Sequence, residues 1–103
     1  MKLIWDEKAK MSVREIAKYI RSDFGVKLEK KFRNEVRHIT DLLLINPYMG
    51  ALDPLFEGRS KRYRSIIVSG KNRMVYYFDD KIVTIVGFWD CRCDPVAQAK
   101  RVK

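Results

Sequence analysis

Two apolar stripes with helical spacing occupy the first half of the chain and constrain its fold more than any other feature. Apolar residues lie at positions 9, 13, 16, 17, 20 and 24, and again at 28, 32, 36, 39 and 43. Offsets of three and four residues place side chains on one face of an α-helix. Gly25 separates the stripes, and Pro47 disfavours helical geometry at Asn46. The pattern predicts helices over about residues 7–24 and 27–45, joined as an antiparallel hairpin in which each helix buries its stripe. Asp6 and Ser12 are alternative N-caps of the first helix.

The rest of the chain has the composition of β-strands. A short apolar segment, Lys2–Trp5, predicts a first strand, and three further segments are rich in Val, Ile and Tyr: Tyr63–Val68, Arg73–Phe78 and Ile82–Trp89. Short turns at 69–72 and 79–81 predict an antiparallel meander, and the Pro- and Gly-containing stretch 47–58 predicts a loop. We therefore expect an α+β fold, with the helical hairpin packed on one face of an antiparallel sheet and residues 1–103 forming a single domain.

The charge of the chain indicates an anionic partner. Lys and Arg number 22 against 13 Asp and Glu, which gives a formal net charge of +9. The segment 58–78 contains no acidic residue, but it holds six cations: Arg59, Lys61, Arg62, Arg64, Lys71 and Arg73. Such an excess is typical of proteins that bind nucleic acid or an acidic protein, and composition does not choose between the two.

Several classes of protein are excluded by the same sequence. No apolar run approaches the ~18 residues of a membrane span, and acidic residues follow Trp5 where a signal peptide would continue. We expect a cytoplasmic protein with no membrane partner, no cofactor and no metal site, because a single histidine, His38, provides no multi-His cluster. His38 is expected on the surface, Cys91 and Cys93 as buried or half-buried thiols, and Trp5 and Trp89 in the core.

The order of these segments resembles the RelE/ParE superfamily of type II toxin–antitoxin toxins, over nearly the whole chain. The segments that carry the resemblance are Lys2–Trp5, Asn46–Gly50, Asp53–Gly58, Arg62–Ile66, Asn72–Tyr77 and Phe88–Pro95. The resemblance implies a cognate antitoxin, expected to be acidic, whose C-terminal segment wraps the toxin. It also implies a target: toxins of the RelE and YoeB branches cut messenger RNA, mostly on the ribosome, whereas ParE-branch toxins poison DNA gyrase.

RNA cleavage of the RelE kind is attack by a ribose 2′-OH on its own 3′-phosphate, which needs proton transfer and stabilisation of phosphorane charge. The resemblance implies that Arg73 contacts the scissile phosphate, with Arg92 as a second catalytic cation. Asp53 and Glu57 are weaker candidates for the general base. The expected RNA- or phosphate-binding residues are Arg59, Lys61, Arg62, Arg64 and Lys71.

The C-terminal stretch does not decide between RNA cleavage and gyrase poisoning. RNA-cleaving relatives often carry Tyr, or His followed by Tyr, after the last strand, whereas no aromatic residue follows Trp89 here. An mRNA-cleaving endoribonuclease is the first hypothesis, a ParE-like gyrase poison without nuclease activity the second, and an inactive relative that binds an acidic partner the third. Whether the chain is an enzyme is therefore left open.

Overall fold

The helical hairpin forms as the two stripes predict. In the computed structural model, which describes residues 1–102, helix α1 spans Glu7–Phe24 and helix α2 spans Val26–Ile45. Asp6 is the N-cap of α1, because its side chain accepts the backbone N–H of Lys8 at 3.1 Å. Gly25 makes the reversal between the helices at a φ of +95°, a value that side chains disfavour. None of the described helices is both long and apolar enough to span a membrane.

Five strands form one sheet in the order β1-β5-β4-β3-β2. Their bounds are Lys2–Trp5 for β1, Ala51–Leu52 for β2, Arg64–Val68 for β3, Asn72–Phe78 for β4 and Ile82–Asp90 for β5. The meander β3–β4–β5 is antiparallel as predicted, and β1 joins the same sheet. However, β1 runs parallel to β5, so the sheet is mixed and not fully antiparallel. No short turn joins these two strands, and a long connection leaves the parallel orientation available.

Two short helical elements were not predicted. The loop 47–58 contains β2 and a 3₁₀-helix at Pro54–Phe56, and a helix α3 follows β5 at Pro95–Lys100. Each begins with Asp-Pro: Asp53 accepts the N–H of Leu55, and Asp94 accepts the N–H of Val96. The aspartate caps the helix. Proline fixes the φ of the first helical residue, where the missing backbone N–H would have no partner within the helix.

The apolar stripes are not buried along their whole length. At the tip of the hairpin Phe24 is 60% exposed and Leu28 is 45% exposed. These two residues line a groove together with the end of β5 and the β3–β4 turn. The hairpin tip therefore stands off from the sheet, and the expectation that each helix buries its full stripe is wrong at this end.

The positions of the cysteines also differ from expectation, because Cys91 and Cys93 are both exposed. They lie in a turn after Asp90, the last residue of β5, and so outside the sheet that would have buried them. The placement of three other side chains agrees with expectation: His38 is exposed, Trp89 is buried, and Trp5 is partly buried against the main core.

Candidate functional site

The two faces of the sheet are covered by different elements. The hairpin covers one face, where Met74 and Tyr76 of β4 lie in the main core. On the other face, the 3₁₀-helix and α3 close a second apolar cluster, whose buried members are Phe56, Tyr63, Val75, Trp89, Ala99 and Val102. Because side chains alternate along a strand, Arg73 of β4 lies on this second face with Val75.

Tyr76 and Arg64 fix the start of the loop 47–58 to the sheet. The Tyr76 hydroxyl donates to the carbonyl of Pro47 at 2.7 Å and accepts the N–H of Gly50 at 2.8 Å. Burial raises the pKa of Tyr76 above its ordinary value, so the hydroxyl keeps its proton for this bond. Arg64 donates to the Gly50 carbonyl at 2.7 Å, and its guanidinium lies 5.1 Å from the centre of the Tyr48 ring. Arg64 thus holds the loop backbone.

Arg73 and Asp53 form an ion pair on the second face. Nη1 of Arg73 donates to Oδ2 of Asp53 at 2.8 Å, and the Asp53 side chain is 0% exposed. The other oxygen, Oδ1, accepts the N–H of Leu55 at 3.0 Å, which starts the 3₁₀-helix. Both carboxylate oxygens of Asp53 are therefore engaged, and the guanidinium of Arg73 is partly occupied by a protein carboxylate.

Arg59 holds the C-terminal helix against the same face. Its guanidinium donates to the carbonyls of Ala99 and Val102 and lies 4.9 Å from the centre of the Phe56 ring. Carbonyls at the end of a helix have no intrahelical donors, so a forked cation is a suitable partner for them. Arg59 thus closes the second apolar cluster.

Lys61 pairs with Tyr77 at the surface. Its Nζ donates to the Tyr77 hydroxyl at 2.9 Å and lies 4.1 Å from the centre of the ring. This hydrogen bond lowers the pKa of Tyr77 and raises the pKa of Lys61. The two tyrosines at 76 and 77 therefore have different surroundings, one under the loop and one beside a lysine.

Arg92 pairs with Asp90, the last residue of β5. Its Nε and Nη2 donate to the two oxygens of Asp90 at 3.1 and 2.9 Å, although the Arg92 side chain is 84% exposed. The Arg92 side chain is the main cause of the lowered pKa of Asp90. Exposed pairs of this kind add little to stability.

The predicted site residues are distributed over separate parts of the surface. A groove of about 580 Å³ under the 3₁₀-helix is lined by five of them: Asp53, Glu57, Arg59, Lys61 and Arg62. Lys71 and Arg92 instead line the groove at the hairpin tip, of about 360 Å³. The structure joins Arg73 directly to Asp53, and it directs Arg64 to the loop. The nine residues do not share one cleft.

The sequence reasoning missed the apolar surface at the hairpin tip. Tyr19 is 55% exposed, and its ring lies 6.2 Å from that of Phe24, edge to face. Leu28 extends this surface on α2. Phe24 and Leu28 follow the helical period, so their spacing indicated core. Gly25, which marks the chain reversal between the helices, was the feature of the sequence that indicated where the buried part of each stripe ends.

Comparison with known proteins agrees with this fold. In solved structures, a chain described as the chromosomal ParDE system from P. aeruginosa superposes with a TM-score of 0.70 at 16% identity, covering 87% of this chain and 95% of that one. A mutant of the E. coli toxin RelE in its free state gives a TM-score of 0.59 at 18% identity, covering 97% and 94%. At such identities these likenesses show the fold. No curated protein matches this sequence significantly.

Family membership comes from the sequence itself. The family described as the ParE toxin of the type II toxin–antitoxin system parDE matches residues 3–95, which include most of β1, the hairpin, the loop 47–58 and the meander. That span also contains every predicted site residue. The chain belongs to the ParE toxin family, and it is the toxin of a type II toxin–antitoxin system.

Proposed function

We propose that this toxin acts by binding DNA gyrase, as ParE-branch toxins do, and that it does not cleave RNA. The observation that carries the proposal is the bond between Arg73 and Asp53, at 2.8 Å. A guanidinium that stabilises a phosphorane must offer its donors to phosphate oxygens as charge develops. Arg73 already directs a donor to a carboxylate with no solvent exposure, which competes with a phosphate for the same group.

The carboxylates of the groove are poorly suited to proton transfer. A general base must reach the 2′-OH within hydrogen-bond distance. Asp53 is buried and uses both oxygens within the protein, to Arg73 and to the N–H of Leu55. Glu57 is exposed at the end of the 3₁₀-helix, and Arg73 lines no part of the groove that holds Glu57.

The cover over the second face supports the same proposal. Residues of α3 and Val102 lie on this face, with Trp89 only 5% exposed beneath them. The bases of an RNA strand stack on exposed aromatic side chains in most single-strand sites. Here Trp89, Tyr63 and Phe56 are buried under the chain's own C-terminal segment.

Messenger RNA cleavage on the ribosome is the second candidate function. It is favoured by one observation, the clustering of Arg59, Lys61 and Arg62 along the groove under the 3₁₀-helix. In that case the groove would hold phosphates, and Arg73 would exchange Asp53 for the scissile phosphate when RNA binds. Gyrase and ribosomes are both cytoplasmic, so either activity places the toxin in the cytoplasm.

Two parallel assays with one preparation of purified toxin test the proposal. In the first, gyrase, supercoiled plasmid and ATP are incubated with toxin. Detergent and protease then release the cleaved DNA, and the amount of linear plasmid is measured on a gel. In the second, programmed ribosomes are incubated with toxin, and the mRNA is mapped by primer extension. We expect linear DNA and intact mRNA, and we expect the linear DNA to fall to background when the antitoxin is added. Cut mRNA with unaffected gyrase would establish the second candidate, and inactivity in both assays would contradict both.

A further inference from the structure

Cys91 and Cys93 lie in an exposed turn between β5 and α3, and both are free thiols. A hydrogen bond from the N–H of Cys93 to the carbonyl of Asp90, at 2.9 Å, closes the turn. The N–H of Cys91 donates to the carbonyl of Lys71 at 2.7 Å, which ties the turn to the β3–β4 connection. The backbone of the turn is therefore held in place, while both cysteines are accessible to solvent.

The turn brings the two cysteines within the range of a disulfide bond. Two residues of fully extended chain span about 7 Å, which lies at the upper limit of the ~4.4–6.8 Å between the Cα atoms of disulfide-bonded cysteines. A chain that bends into a hydrogen-bonded turn spans less than this. A strand through residue 93 would have kept the cysteines near the limit, whereas β5 ends at Asp90 and leaves them closer.

A resident metal ion does not fit this pair. Structural zinc takes four ligands, and catalytic zinc takes three protein ligands. Within residues 1–102, no group of three or more His, Cys, Asp and Glu side chains is arranged to hold a metal ion. Two accessible thiols at neighbouring positions instead meet the needs of reversible oxidation, which are one attacking thiol and one resolving thiol.

The residue between the two cysteines connects the turn to the groove at the hairpin tip. Arg92 lines this groove, of about 360 Å³, together with Asp90 and Tyr19. Its backbone N–H and its guanidinium both donate to the carboxylate of Asp90. This pairing is the main cause of the raised pKa of Arg92, to which the neighbouring Tyr19 and Cys93 also contribute. A change of backbone conformation over residues 91–93 therefore reaches the groove through Arg92.

We propose that Cys91 and Cys93 are a redox-active dithiol, which small-molecule disulfides oxidise to an intramolecular disulfide, and that this closure displaces Arg92 from the wall of the hairpin-tip groove. The thiolate of one cysteine attacks a sulfur of oxidised glutathione, which forms a mixed disulfide and releases one glutathione thiolate. The other cysteine then attacks the protein sulfur of the mixed disulfide and releases the second glutathione. Two protein thiols are oxidised, and one glutathione disulfide is reduced to two thiols.

The position of the pair makes the modification reversible. Exposed disulfides are more easily reduced than buried structural ones, and they are the labile or regulatory class. A bond between residues two positions apart also closes a very short loop, so it restricts the unfolded chain little and adds little to stability. The proposal does not depend on whether the toxin acts on gyrase or on RNA.

Intact mass spectrometry of the full-length toxin tests the closure. Dilute reduced toxin is incubated with oxidised glutathione, quenched with acid and weighed at successive times. We expect a transient adduct of one glutathione, followed by a product lighter than the reduced toxin by two hydrogen atoms, and dithiothreitol should restore the reduced mass. Stable addition of glutathione at both cysteines, or disulfide-linked dimers in place of the closed monomer, would overturn the proposal.

Serine variants separate the two steps of the reaction. Cys91→Ser and Cys93→Ser each keep one thiol, so each should hold a stable glutathione adduct that the wild type loses by closure. The double variant should not react, because the chain contains no other cysteine. Both positions are exposed, so serine should leave the urea stability within about 0.5 kcal/mol of the wild type. Release of glutathione from a single variant as fast as from the wild type would overturn the intramolecular step.

Nuclear magnetic resonance of the reduced and oxidised toxin tests the displacement of Arg92. We expect its backbone N–H, which donates to Asp90 at 2.8 Å, to exchange with water about 10-fold faster after oxidation, since that hydrogen bond to a charged group is lost. The matched control is the N–H of Lys81, which donates to Asp79 at the same distance in the β4–β5 turn and should not change. Unchanged exchange at Arg92 in the oxidised toxin would overturn the link to the groove.

Zinc alone is the probe for the competing metal site. The glutathione reaction is repeated after Zn²⁺ is added to the reduced toxin. Oxidation at the same rate would support a dithiol that holds no metal, whereas one Zn²⁺ bound per chain with both thiols protected would overturn the proposal. Neither gyrase cleavage nor RNA cleavage is a readout in these experiments, so failure of the proposed function leaves their results unaffected.

Discussion

Arg73 Nη1 lies 2.8 Å from Oδ2 of Asp53, although the two residues are 20 positions apart in the sequence. The Asp53 side chain is 0% exposed, whereas the Arg73 side chain is 30% exposed. A buried carboxylate requires such a partner, because an unpaired charge away from water is costly. This bond links the loop after α2 to the middle of the sheet, and it makes Arg73 a positioning residue for that loop.

Replacing Arg73 by alanine should destabilise the fold. Removing one member of a fully buried pair costs about 3–5 kcal/mol, and water can reach the partly exposed Arg73 position, so we expect a loss of about 2–3 kcal/mol in the free energy of unfolding. Urea denaturation followed by circular dichroism measures it. Arg62→Ala, at an exposed position, is the matched control and should change the free energy by less than about 0.5 kcal/mol. Equal stability of the two variants would show that the ion pair has no structural role.

The close packing at Gly50 leads to a second prediction. A Cβ added at Gly50 would lie 2.6 Å from the Tyr76 hydroxyl oxygen and 2.8 Å from the backbone oxygen of Ser65. Gly50→Ala should therefore cost about 1–3 kcal/mol by overpacking. Tyr76→Phe should cost a similar ~1–3 kcal/mol, since it leaves the Gly50 N–H without its buried partner.

Combining these two substitutions separates the causes. Tyr76→Phe removes the atom nearest to the new methyl group, so the double variant should lose less free energy of unfolding than the sum of the single losses. Urea denaturation midpoints and slopes measure all three variants. Strict additivity would mean that the methyl group does not meet the hydroxyl.

Much of the fold was predictable because it depends on local periodicity. The stripes on α1 and α2 repeat over four or five turns, and β3, β4 and β5 are joined by short turns whose residues are visible in the sequence. Helix α3 is only six residues long, which is too short for a periodic signal. Its start at Asp94-Pro95, like that at Asp53-Pro54, was nevertheless present as a cap followed by proline.

The partners of the site residues were not predictable. Composition identified the cations of the segment 58–78, but the carboxylates and carbonyls that engage them are brought close only by the fold. Arg59 reaches Ala99, 40 positions away, and Arg73 reaches Asp53 across the α2–β3 loop and β3. A basic segment therefore indicates available charge, whereas the fold decides how much of that charge remains free for a ligand.

Arg59 should control the cover of the second apolar cluster. Arg59→Ala removes the donors to the Ala99 and Val102 carbonyls, so we expect faster amide exchange over residues 95–102. In a Trp5→Phe background, acrylamide should then quench Trp89, which is 5% exposed in the intact protein. Arg59→Lys should restore little, because lysine lacks the fork that reaches two carbonyls. Unchanged quenching in Arg59→Ala would show that the helix stays in place without this residue.

The β4–β5 turn should be sensitive to acid through Asp79. Its Oδ1 accepts the N–H groups of Lys81 and Ile82, both at 2.8 Å, and the first of these bonds is the largest cause of its lowered pKa. A carboxyl whose pKa is lower in the folded state stabilises the protein above its unfolded pKa of about 3.9. That contribution is lost as the pH falls through the folded value.

Comparison of the wild type with Asp79→Ala across pH measures this contribution. The stability difference in urea should be constant from about pH 5 to 8 and should shrink below about pH 4. Asp79→Asn keeps an acceptor oxygen without a titrating proton, so its difference from Asp79→Ala should not vary with pH. A wild-type difference from Asp79→Ala that is equally independent of pH would contradict the assignment.

Replacing both members of the ion pair by neutral residues tests whether Arg73 positions the loop or contacts a phosphate. Asp53→Asn keeps an oxygen for the Leu55 N–H and gains an amide donor, and Arg73→Gln supplies an acceptor for it. Combined, the two changes place a neutral donor opposite a neutral acceptor, although glutamine is two bonds shorter than arginine and the loop must move towards the sheet to close the hydrogen bond. We expect the double variant to recover part of the stability lost in Arg73→Ala and to arrest growth, because a positioning role needs the bond and not the cation.

Loss of toxicity in the stable double variant would instead indicate phosphate contact by Arg73. If Arg73 stabilises a scissile phosphate, losing its charge should reduce RNA cleavage by about 10²–10³-fold even in a stable double variant. Growth arrest is therefore scored beside urea stability for the double variant, Arg73→Ala and Arg73→Lys. A stable but inactive double variant would contradict the positioning role and favour RNA cleavage, since a lost fold could no longer explain the loss of toxicity.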